Sequence, residues 1–219
     1  MKILILGSTG RLGQQLLNEA IKRGHQITVL VRDESKLQEN IPNIKVIKGI
    51  STDKTVLEKA MAECEVLLSA LNISRTTDFP FSPLRTPKDF LSKTAENIIE
   101  LIPKTSIKHA IIVTAQGVNE TKKDIPLWFK WIIDNTNVKY PYLDHERQEH
   151  LFINSKVSWT IIRPVGLTNS MTSKPVRVSQ NNLPKPSLTI SRLDTAKFML
   201  DELEKTNYIG KLVTISNQP

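Results

Sequence analysis

Short runs of aliphatic residues recur along the chain and alternate with segments in which apolar residues return every three or four positions. The runs have the length and composition of strands that are buried on both faces of a sheet. We expect such strands at 2–6, 27–31, 44–47, 65–71, 109–114, 159–163 and 211–215. The segments between them predict amphipathic helices, beginning near residue 11 and lying at 56–61, 88–101, 142–154 and 191–203.

The alternation of strands and helices predicts an α/β fold, a doubly wound parallel sheet with helices on both faces. We expect a single domain spanning 1–219, because no linker divides the chain. The segments 72–87, 117–141 and 165–190 break the pattern and contain prolines, so they predict long irregular stretches. Loops of this length are often functional, and we expect them to form the substrate side of the molecule.

The second of these segments holds a cluster of aromatic residues, Trp128, Phe129 and Trp131. Aromatic side chains make up only 5% of this chain, so a cluster of three is notable. Their first interpretation is that they are buried packing residues. The alternative is that they form a lid over a substrate pocket.

A glycine turn connects the first predicted strand to the first predicted helix, in the sequence GSTGRLG. Glycine has no Cβ, so a pyrophosphate can approach the backbone amides, and the following helix offers its N-terminal N–H groups to the anion. Hydroxyl groups and an arginine add further donors. A tight βα turn that binds nothing is the alternative. The predicted cofactor-binding residues of this turn are Gly7, Ser8, Thr9, Gly10, Arg11, Leu12 and Gly13.

The ends of the other strands extend this predicted site, because ligands of such sheets bind at the carboxyl ends of the strands. The second strand closes on Arg32, and an arginine there suits the 2′-phosphate of NADP, whereas an acidic residue suits NAD. We expect Asp33 to cap the short helix that follows it. An ordinary surface arginine is the alternative for Arg32. Further predicted cofactor-binding residues are Ser69, Ala70, Leu71, Thr114, Ala115, Gln116 and Pro164.

Composition narrows the choice of partner. The formal net charge is +8, but the basic residues are scattered and form no run, so nucleic acid is not the expected ligand.

No apolar window is long enough to span a membrane, and no metal-binding spacing is present. We expect the first residues of the chain to form a strand and not a signal peptide. Its single cysteine, Cys64, excludes an internal disulfide and predicts a buried thiol and a cytoplasmic protein.

Four segments carry a family resemblance: GSTGRLG, ITVLVRDESKL, WTIIRP and ISRLDTAKFMLDEL. With these in register, the chain resembles the atypical short-chain dehydrogenases/reductases of the NmrA-like NAD(P)-binding group. Within that group it is similar to the flavin reductases, which are also called biliverdin-IXβ reductases. The resemblance covers nearly the whole chain and implies a Rossmann-type fold with NADPH as cofactor.

The chain departs from this family at the catalytic positions. Short-chain dehydrogenases use Tyr-x-x-x-Lys, in which the lysine lowers the tyrosine pKa. Here Tyr142 is followed four residues later by Glu146, and Tyr140 by Asp144, and a nearby carboxylate raises a tyrosine pKa. Thr114 and the alanine after it stand where the family has a serine. The acid–base pair of the family is therefore absent.

The catalytic residues remain unassigned by the sequence, with Tyr142 and His145 as the weak candidates. Glu149 lies one helical turn from His145 and is placed to orient it, although a solvated His–Glu pair without a function is the alternative. Flavin-reductase relatives carry a histidine where this chain has Val165, which argues against biliverdin as the acceptor. Arg147 and Arg163 are candidates for holding an anionic substrate, and a structural role is the alternative for Arg163.

Together these features predict an NADPH-dependent oxidoreductase that passes hydride to a flavin, a quinone or a similar conjugated small molecule. Such acceptors take hydride with little proton donation by the enzyme, so the missing tyrosine–lysine pair is tolerable. The alternative is a non-catalytic NADPH sensor of the NmrA-like type. A third possibility, a nucleotide-sugar epimerase or dehydratase, is disfavoured because such enzymes keep the catalytic tyrosine. We expect a monomer or a homodimer.

Overall fold

The computed structural model describes residues 1–37 and 44–218 of the chain. Strands and helices alternate along most of this length, as the hydrophobic pattern predicts. The strands are β1 (Lys2–Leu6), β2 (Gln26–Val31), β3 (Ile44–Lys48), β4 (Val66–Ser69), β5 (His109–Val113), β6 (Trp159–Pro164), β7 (Gly166–Thr168), β8 (Val176–Ser179), β9 (Thr189–Ser191) and β10 (Leu212–Asn217). The α-helices are α1 (Arg11–Lys22), α2 (Lys54–Met61), α3 (Phe90–Leu101), α4 (Leu127–Asn135), α5 (Lys139–Ile153) and α6 (Arg192–Lys205).

The main sheet has the strand order β3-β2-β1-β4-β5-β6-β10-β8. All neighbouring pairs are parallel except β10 and β8, which are antiparallel. The order reverses between β1 and β4, the position where ligands bind in sheets of this kind. The predicted doubly wound parallel sheet is therefore confirmed. The strands β7 and β9 pair separately, beside the main sheet.

Both faces of the sheet are covered by helices, because successive strand residues point to opposite sides. In β1, Ile3 and Ile5 belong to the core cluster formed with α1 and α6, whereas Leu4 and Leu6 belong to the cluster formed with α2, α3 and α5. All four side chains are almost completely buried, and each contributes about 1.5–3 kcal/mol of hydrophobic stabilisation. Cys64 is buried in the second cluster, and burial raises the pKa of its thiol. The predicted burial of this thiol is confirmed.

The segment 117–141 is more regular than the sequence predicts. It contains a 3₁₀ helix at Asn119–Asp124 and the helix α4, and α5 begins at Lys139 instead of residue 142. The prolines of this segment do not interrupt the helices, because Pro126 is the N-cap of α4 and only its carbonyl accepts helical hydrogen bonds. Pro141 lies in the first turn of α5, where the missing N–H has no helical acceptor. Trp128 and Trp131 are exposed, so their interpretation as buried packing residues is wrong.

The segment 165–190 is also partly regular, since it contains β7, β8 and most of β9. Strand β6 extends one residue further than predicted and includes Pro164. The segment 72–87 is irregular apart from an isolated bridge between Arg75 and Leu84. No helix in the described part of the chain is both long and apolar enough to cross a membrane.

Candidate cofactor site

The glycine turn is a close-packed structure in which side chains have no room. Gly7 has a φ of +82°, and a Cβ there would lie 2.8 Å from the Ala70 carbonyl oxygen. The Gly10 amide donates a hydrogen bond of 2.9 Å to the Gly7 carbonyl, which closes the turn. A Cβ on Gly13 would lie only 1.9 Å from the same carbonyl oxygen. Glycines 7 and 13 therefore allow α1 to start directly against the ends of β1 and β4.

The N-terminus of α1 is left open for an anion. Gly10 is its N-cap, no side chain caps it, and its first turn holds no acidic residue. Asp53 caps α2 and Ser191 caps α6, whereas α4 and α5, like α1, have no side-chain cap among the described residues. The first N–H groups of α1 therefore keep their donor capacity and the positive end of the helix dipole.

A hydroxyl group beside this helix end supports the same conclusion. Ser8 is completely buried, and its Oγ has no hydrogen-bond partner among the described residues. Buried hydroxyls normally have a partner, so an unmatched one in a glycine turn fits a ligand that supplies acceptor oxygens. The turn fits the pyrophosphate of a dinucleotide, because it combines open amides with a backbone that no Cβ shields.

The end of β2 has the arrangement that the sequence predicts. Asp33 accepts hydrogen bonds from the backbone amide and the hydroxyl of Ser35, at 3.2 and 2.7 Å, and so caps the 3₁₀ helix Glu34–Lys36. The hydrogen bond from the Ser35 hydroxyl lowers the pKa of Asp33. Arg32 is exposed and forms no hydrogen bond with residues 1–37 or 44–218. Its guanidinium is accordingly free of a competing carboxylate within that part of the chain.

The ends of β1, β4, β5 and β6 meet at one edge of the sheet. The Ala70 amide donates to Leu6, and the Thr114 and Gln116 amides donate to Ile162 and Pro164, at 2.9–3.0 Å. The structure thus brings the predicted residues of the glycine turn, 69–71, 114–116 and 164 to the same edge. Their role in binding stays a prediction.

A buried ionic network lies behind the ends of β5 and β6. Arg163 donates from Nε and Nη2 to the two carboxylate oxygens of Glu149, at 2.8 and 2.6 Å, and also pairs with Glu120. Thr114 Oγ1 and Asn119 Nδ2 donate to the same Glu149 carboxylate, each at 2.7 Å. Burial alone would lower the pKa of Arg163, but the bonds to Glu149 and Glu120 outweigh it and raise that pKa. Arg163 therefore has a structural role, one of its two predicted alternatives.

Of the two weak catalytic candidates, His145 is enclosed by protein and Tyr142 is partly buried. His145 is buried, its Nδ1 lies 3.2 Å from Gln148 Oε1, and burial lowers its pKa. Glu149 is turned to Arg163, so the predicted solvated His–Glu pair is wrong, because neither side chain is solvated. Burial raises the pKa of Tyr142, whose ring packs on Phe129 at 6.1 Å between centroids. Burial thus disfavours the charged form of both side chains.

Asp144 has a function that the sequence did not reveal. It is fully buried on α5 and accepts hydrogen bonds from the Leu91 amide at 2.7 Å and the Ser92 hydroxyl at 2.6 Å. Asp144 therefore caps α3 from a neighbouring helix, while Asp89, the local N-cap residue, makes no side-chain cap. Its carboxylate is turned to α3, where it is bound by these donors. Only the tertiary fold brings the donor and acceptor together, so local spacing carries no signal of this contact.

The segment 72–87 reaches the glycine turn through an ion pair. Arg11, the first residue of α1, donates from Nη1 and Nη2 to the carboxylate of Asp78. Desolvation is the main reason that the pKa of Arg192, at the start of α6, is lowered. The charges of Arg11 and Asp78 also act on this pKa, so Arg192 lies near the ion pair. The described residues contain no group of three or more His, Cys, Asp or Glu side chains that could hold a metal ion.

The chain is similar in sequence to a known protein family and in fold to known structures. A family model described as NAD(P)H-binding matches residues 7–206. The Bacillus subtilis protein YwnB, itself uncharacterized, is 27% identical over 100% of this chain and 99% of its own. A short-chain dehydrogenase/reductase from Veillonella parvula, solved in complex with NADP, shares the fold with a TM-score of 0.79 at 18% identity, covering 99% of this chain and 94% of that one. ChuY, an anaerobilin reductase from Escherichia coli O157:H7, matches with a TM-score of 0.79 at 16% identity over the whole of both chains.

Proposed function

Because the chain belongs to the NAD(P)H-binding family, we propose that it is an NADPH-dependent oxidoreductase that transfers hydride to a flavin, a quinone or a similar conjugated acceptor. The observation that carries this proposal is the open N-terminus of α1 against a glycine turn in which Gly7 and Gly13 leave no room for a side chain. Arg32, exposed at the end of β2, supports the choice of NADPH over NADH.

Each part of the edge has a role in this proposal. The amides of α1 and the hydroxyls of Ser8 and Thr9 hold the pyrophosphate, with Arg11 as an added positive charge. Arg32 holds the 2′-phosphate. The backbone at 69–71 and 114–116 supports the nicotinamide half, which supplies the hydride when the cofactor is bound. The acceptor then lies between this edge and the segments 72–87 and 117–141.

The class of acceptor is proposed from the side chains that are already engaged in the protein. The Thr114 hydroxyl is bonded to Glu149, and His145 is buried with its Nδ1 beside Gln148. A flavin or a quinone takes two electrons with the hydride and draws its proton from solvent, so the protein only has to orient the two rings. The naming of ChuY as an anaerobilin reductase lends support to a conjugated acceptor.

A second candidate is a non-catalytic NADPH-sensing protein, which is favoured because Thr114, His145 and Glu149 are held in hydrogen bonds within the protein. In that case bound NADPH changes the surface formed by 72–87 and 117–141. In either role we propose a cytoplasmic protein, consistent with the single buried thiol of Cys64. The acceptor itself is a small molecule, and the protein acts as a monomer or a homodimer.

Two measurements test the proposal and separate the candidates. Titration with NADPH and NADH, followed by nicotinamide fluorescence, should show saturable binding that is tighter for NADPH. NADPH oxidation is then measured with riboflavin, FMN and menadione as acceptors, with NADPH alone as the control. Turnover that depends on the acceptor supports the enzyme, whereas tight binding without turnover supports the sensor. Failure to bind either nucleotide would refute both.

A further inference from the structure

Five large apolar side chains are exposed on one side of the molecule, next to the carboxyl edge of the sheet. We call them the aromatic surface: Phe79 (64% exposed), Phe81 (53%), Leu127 (80%), Trp128 (66%) and Trp131 (59%). They come from two segments, the tip of 72–87 and the helix α4. Fully burying each would be worth about 1.5–3 kcal/mol, and clustered exposure of this kind marks an interaction site.

Asn137, just beyond the end of α4, joins the two segments through hydrogen bonds. Its side-chain amide donates to the carbonyls of Phe81 and Ser82, at 2.9 and 3.1 Å, and its backbone amide donates to the carbonyl of Pro80 at 3.1 Å. The rings of Phe79 and Phe81 lie 5.7 Å apart. These bonds hold the tip of 72–87 against the chain that directly follows α4.

The orientation of α4 shows that this exposure belongs to the helix as a whole. Leu127, Trp128 and Trp131 stand at positions i, i+1 and i+4, on the outer face. Ile133 is the buried residue of the helix, and Phe129 packs inward on Tyr142. α4 thus exposes both of its tryptophans to solvent.

Positive charge surrounds the aromatic surface. Lys88 and Lys139 lie over the ring of Tyr140, at 4.2 and 5.2 Å from its centroid, and Lys130 reaches the carbonyl of Lys123 at 3.0 Å. Within the described residues, none of these four lysines forms an ion pair with a carboxylate.

The acidic residues of the neighbouring chain offset only part of this charge. Asp78 is paired with Arg11 and Asp134 with Lys122, and with Glu120 and Asp124 also counted the segments 72–87 and 117–141 keep a net charge of +2 (six basic residues against four acidic ones). Unpaired ammonium groups beside exposed tryptophans are complementary to an anionic lipid surface, in which the rings enter the headgroup region and the lysines meet phosphates. A second copy would bring the same lysines together, which charge repulsion disfavours.

We propose that the aromatic surface docks the protein onto an anionic lipid bilayer, with Trp128 and Trp131 inserted at headgroup depth. Docking turns the carboxyl edge of the sheet, between the segments that carry this surface, towards the lipid. The inference concerns the surface alone and does not depend on the identity of the acceptor or on catalysis.

Co-sedimentation with sucrose-loaded vesicles tests the proposal. Vesicles of phosphatidylcholine alone are compared with vesicles that contain phosphatidylglycerol, and tryptophan emission is recorded in parallel. We expect binding to the anionic vesicles with a blue shift, and a loss of about tenfold or more in the double variant Trp128→Ser, Trp131→Ser. The matched control is Ile209→Ser, because Ile209 is 47% exposed and lies just before β10, at the opposite edge of the sheet.

Charge is tested separately with Lys130→Gln and Lys139→Gln, each of which should weaken binding roughly fivefold. Thermal unfolding and NADPH titration of every variant show whether the fold is intact. No binding to anionic vesicles, or equal binding to neutral ones, would overturn the proposal. So would a concentration-dependent dimer in sedimentation velocity that the tryptophan variant abolishes, since it would identify a second copy as the occupant. Lack of NADPH turnover would refute the enzyme but leave this test unaffected.

Discussion

Arg11 and Asp78 form a two-bond ion pair, with Nη1 3.0 Å and Nη2 2.7 Å from the carboxylate oxygens. The pair joins the first residue of the helix behind the glycine turn to the segment 72–87. The Asp78 carboxylate therefore occupies the guanidinium group that Arg11 would otherwise offer to a cofactor phosphate. Both side chains are more than half exposed, so the pair is worth at most about 1 kcal/mol and a cofactor phosphate can displace it.

The variant Asp78→Asn should therefore bind NADPH more tightly, because Arg11 no longer has to leave a carboxylate. We expect the dissociation constant to fall about two- to fivefold, as the loss of up to 1 kcal/mol of competition implies. Asp134→Asn is the control, since Asp134 is also an exposed, lysine-paired carboxylate but lies on α4. Weaker NADPH binding by Asp78→Asn would show instead that the carboxylate positions Arg11 for the ligand.

Gly13→Ala should destabilise the protein severely and abolish NADPH binding. The added Cβ would lie 1.9 Å from the Gly7 carbonyl oxygen and 2.6 Å from its carbon, so the turn must move. We expect a loss on the order of 3 kcal/mol or more in urea unfolding. Gly24→Ala is the control. Apart from the neighbouring residues, no described atom lies within 4 Å of the Cβ that this variant adds, so the expected loss of stability is only the cost of a positive φ, about 1 kcal/mol. Similar losses in both variants would contradict the close-packed turn.

Arg32→Ala tests the preference for NADPH. If the guanidinium holds the 2′-phosphate, the variant should lose on the order of 1.5–3 kcal/mol of NADPH binding and leave NADH binding nearly unchanged. Fluorescence titration with both nucleotides measures this, with NADH as the internal control. An equal loss for the two nucleotides would exclude Arg32 as the group that distinguishes them.

The two carboxylates on Arg163 should differ sharply in their effect on stability. Glu149 is completely buried, whereas the side chain of Glu120 is 58% exposed. Glu149→Gln leaves a buried guanidinium without its main counter-charge and should cost about 3 kcal/mol of unfolding free energy, against less than about 1 kcal/mol for Glu120→Gln. Chemical denaturation at fixed pH makes the comparison. Equal effects would mean that the network is not held by its buried member.

The parallel sheet and the glycine turn could be predicted because their signals are local. An aliphatic run marks a buried strand, and Gly7, Gly10 and Gly13 lie within one turn of chain. The cap of Asp33 on Ser35 was predictable for the same reason.

The contacts that were missed join residues far apart in the sequence. Asp144 caps α3 across 53 residues, and Glu149 binds Thr114 across 35. The spacing of His145 and Glu149 indicated a helical pair, but it could not show that both side chains face the interior of the fold. The helix α4 was missed because most of its apolar residues are not buried, so it lacks an amphipathic pattern directed at the core.

His109 should make the stability of the protein depend on pH. It is buried at the start of β5, with Nδ1 2.8 Å from Ser158 Oγ and Nε2 3.1 Å from Thr160 Oγ1, and burial lowers its pKa from 6.5 to about 4. The unfolded chain therefore takes up a proton near pH 6.5, while the folded protein does so only near pH 4. This stabilisation is complete above pH 6.5 and is lost as the pH falls towards 4.

We expect His109 to contribute on the order of 2–3 kcal/mol to the fall in unfolding free energy across this range. Urea unfolding of the wild type and of His109→Gln between pH 4.5 and 7.5 measures it. The variant, which has no imidazole to protonate, should be less stable than the wild type at pH 7.5, and the difference should shrink as the pH falls. His150→Gln is the control, because it removes an exposed imidazole at the end of α5. Parallel pH profiles for the wild type and His109→Gln would show that another buried group sets the acid sensitivity.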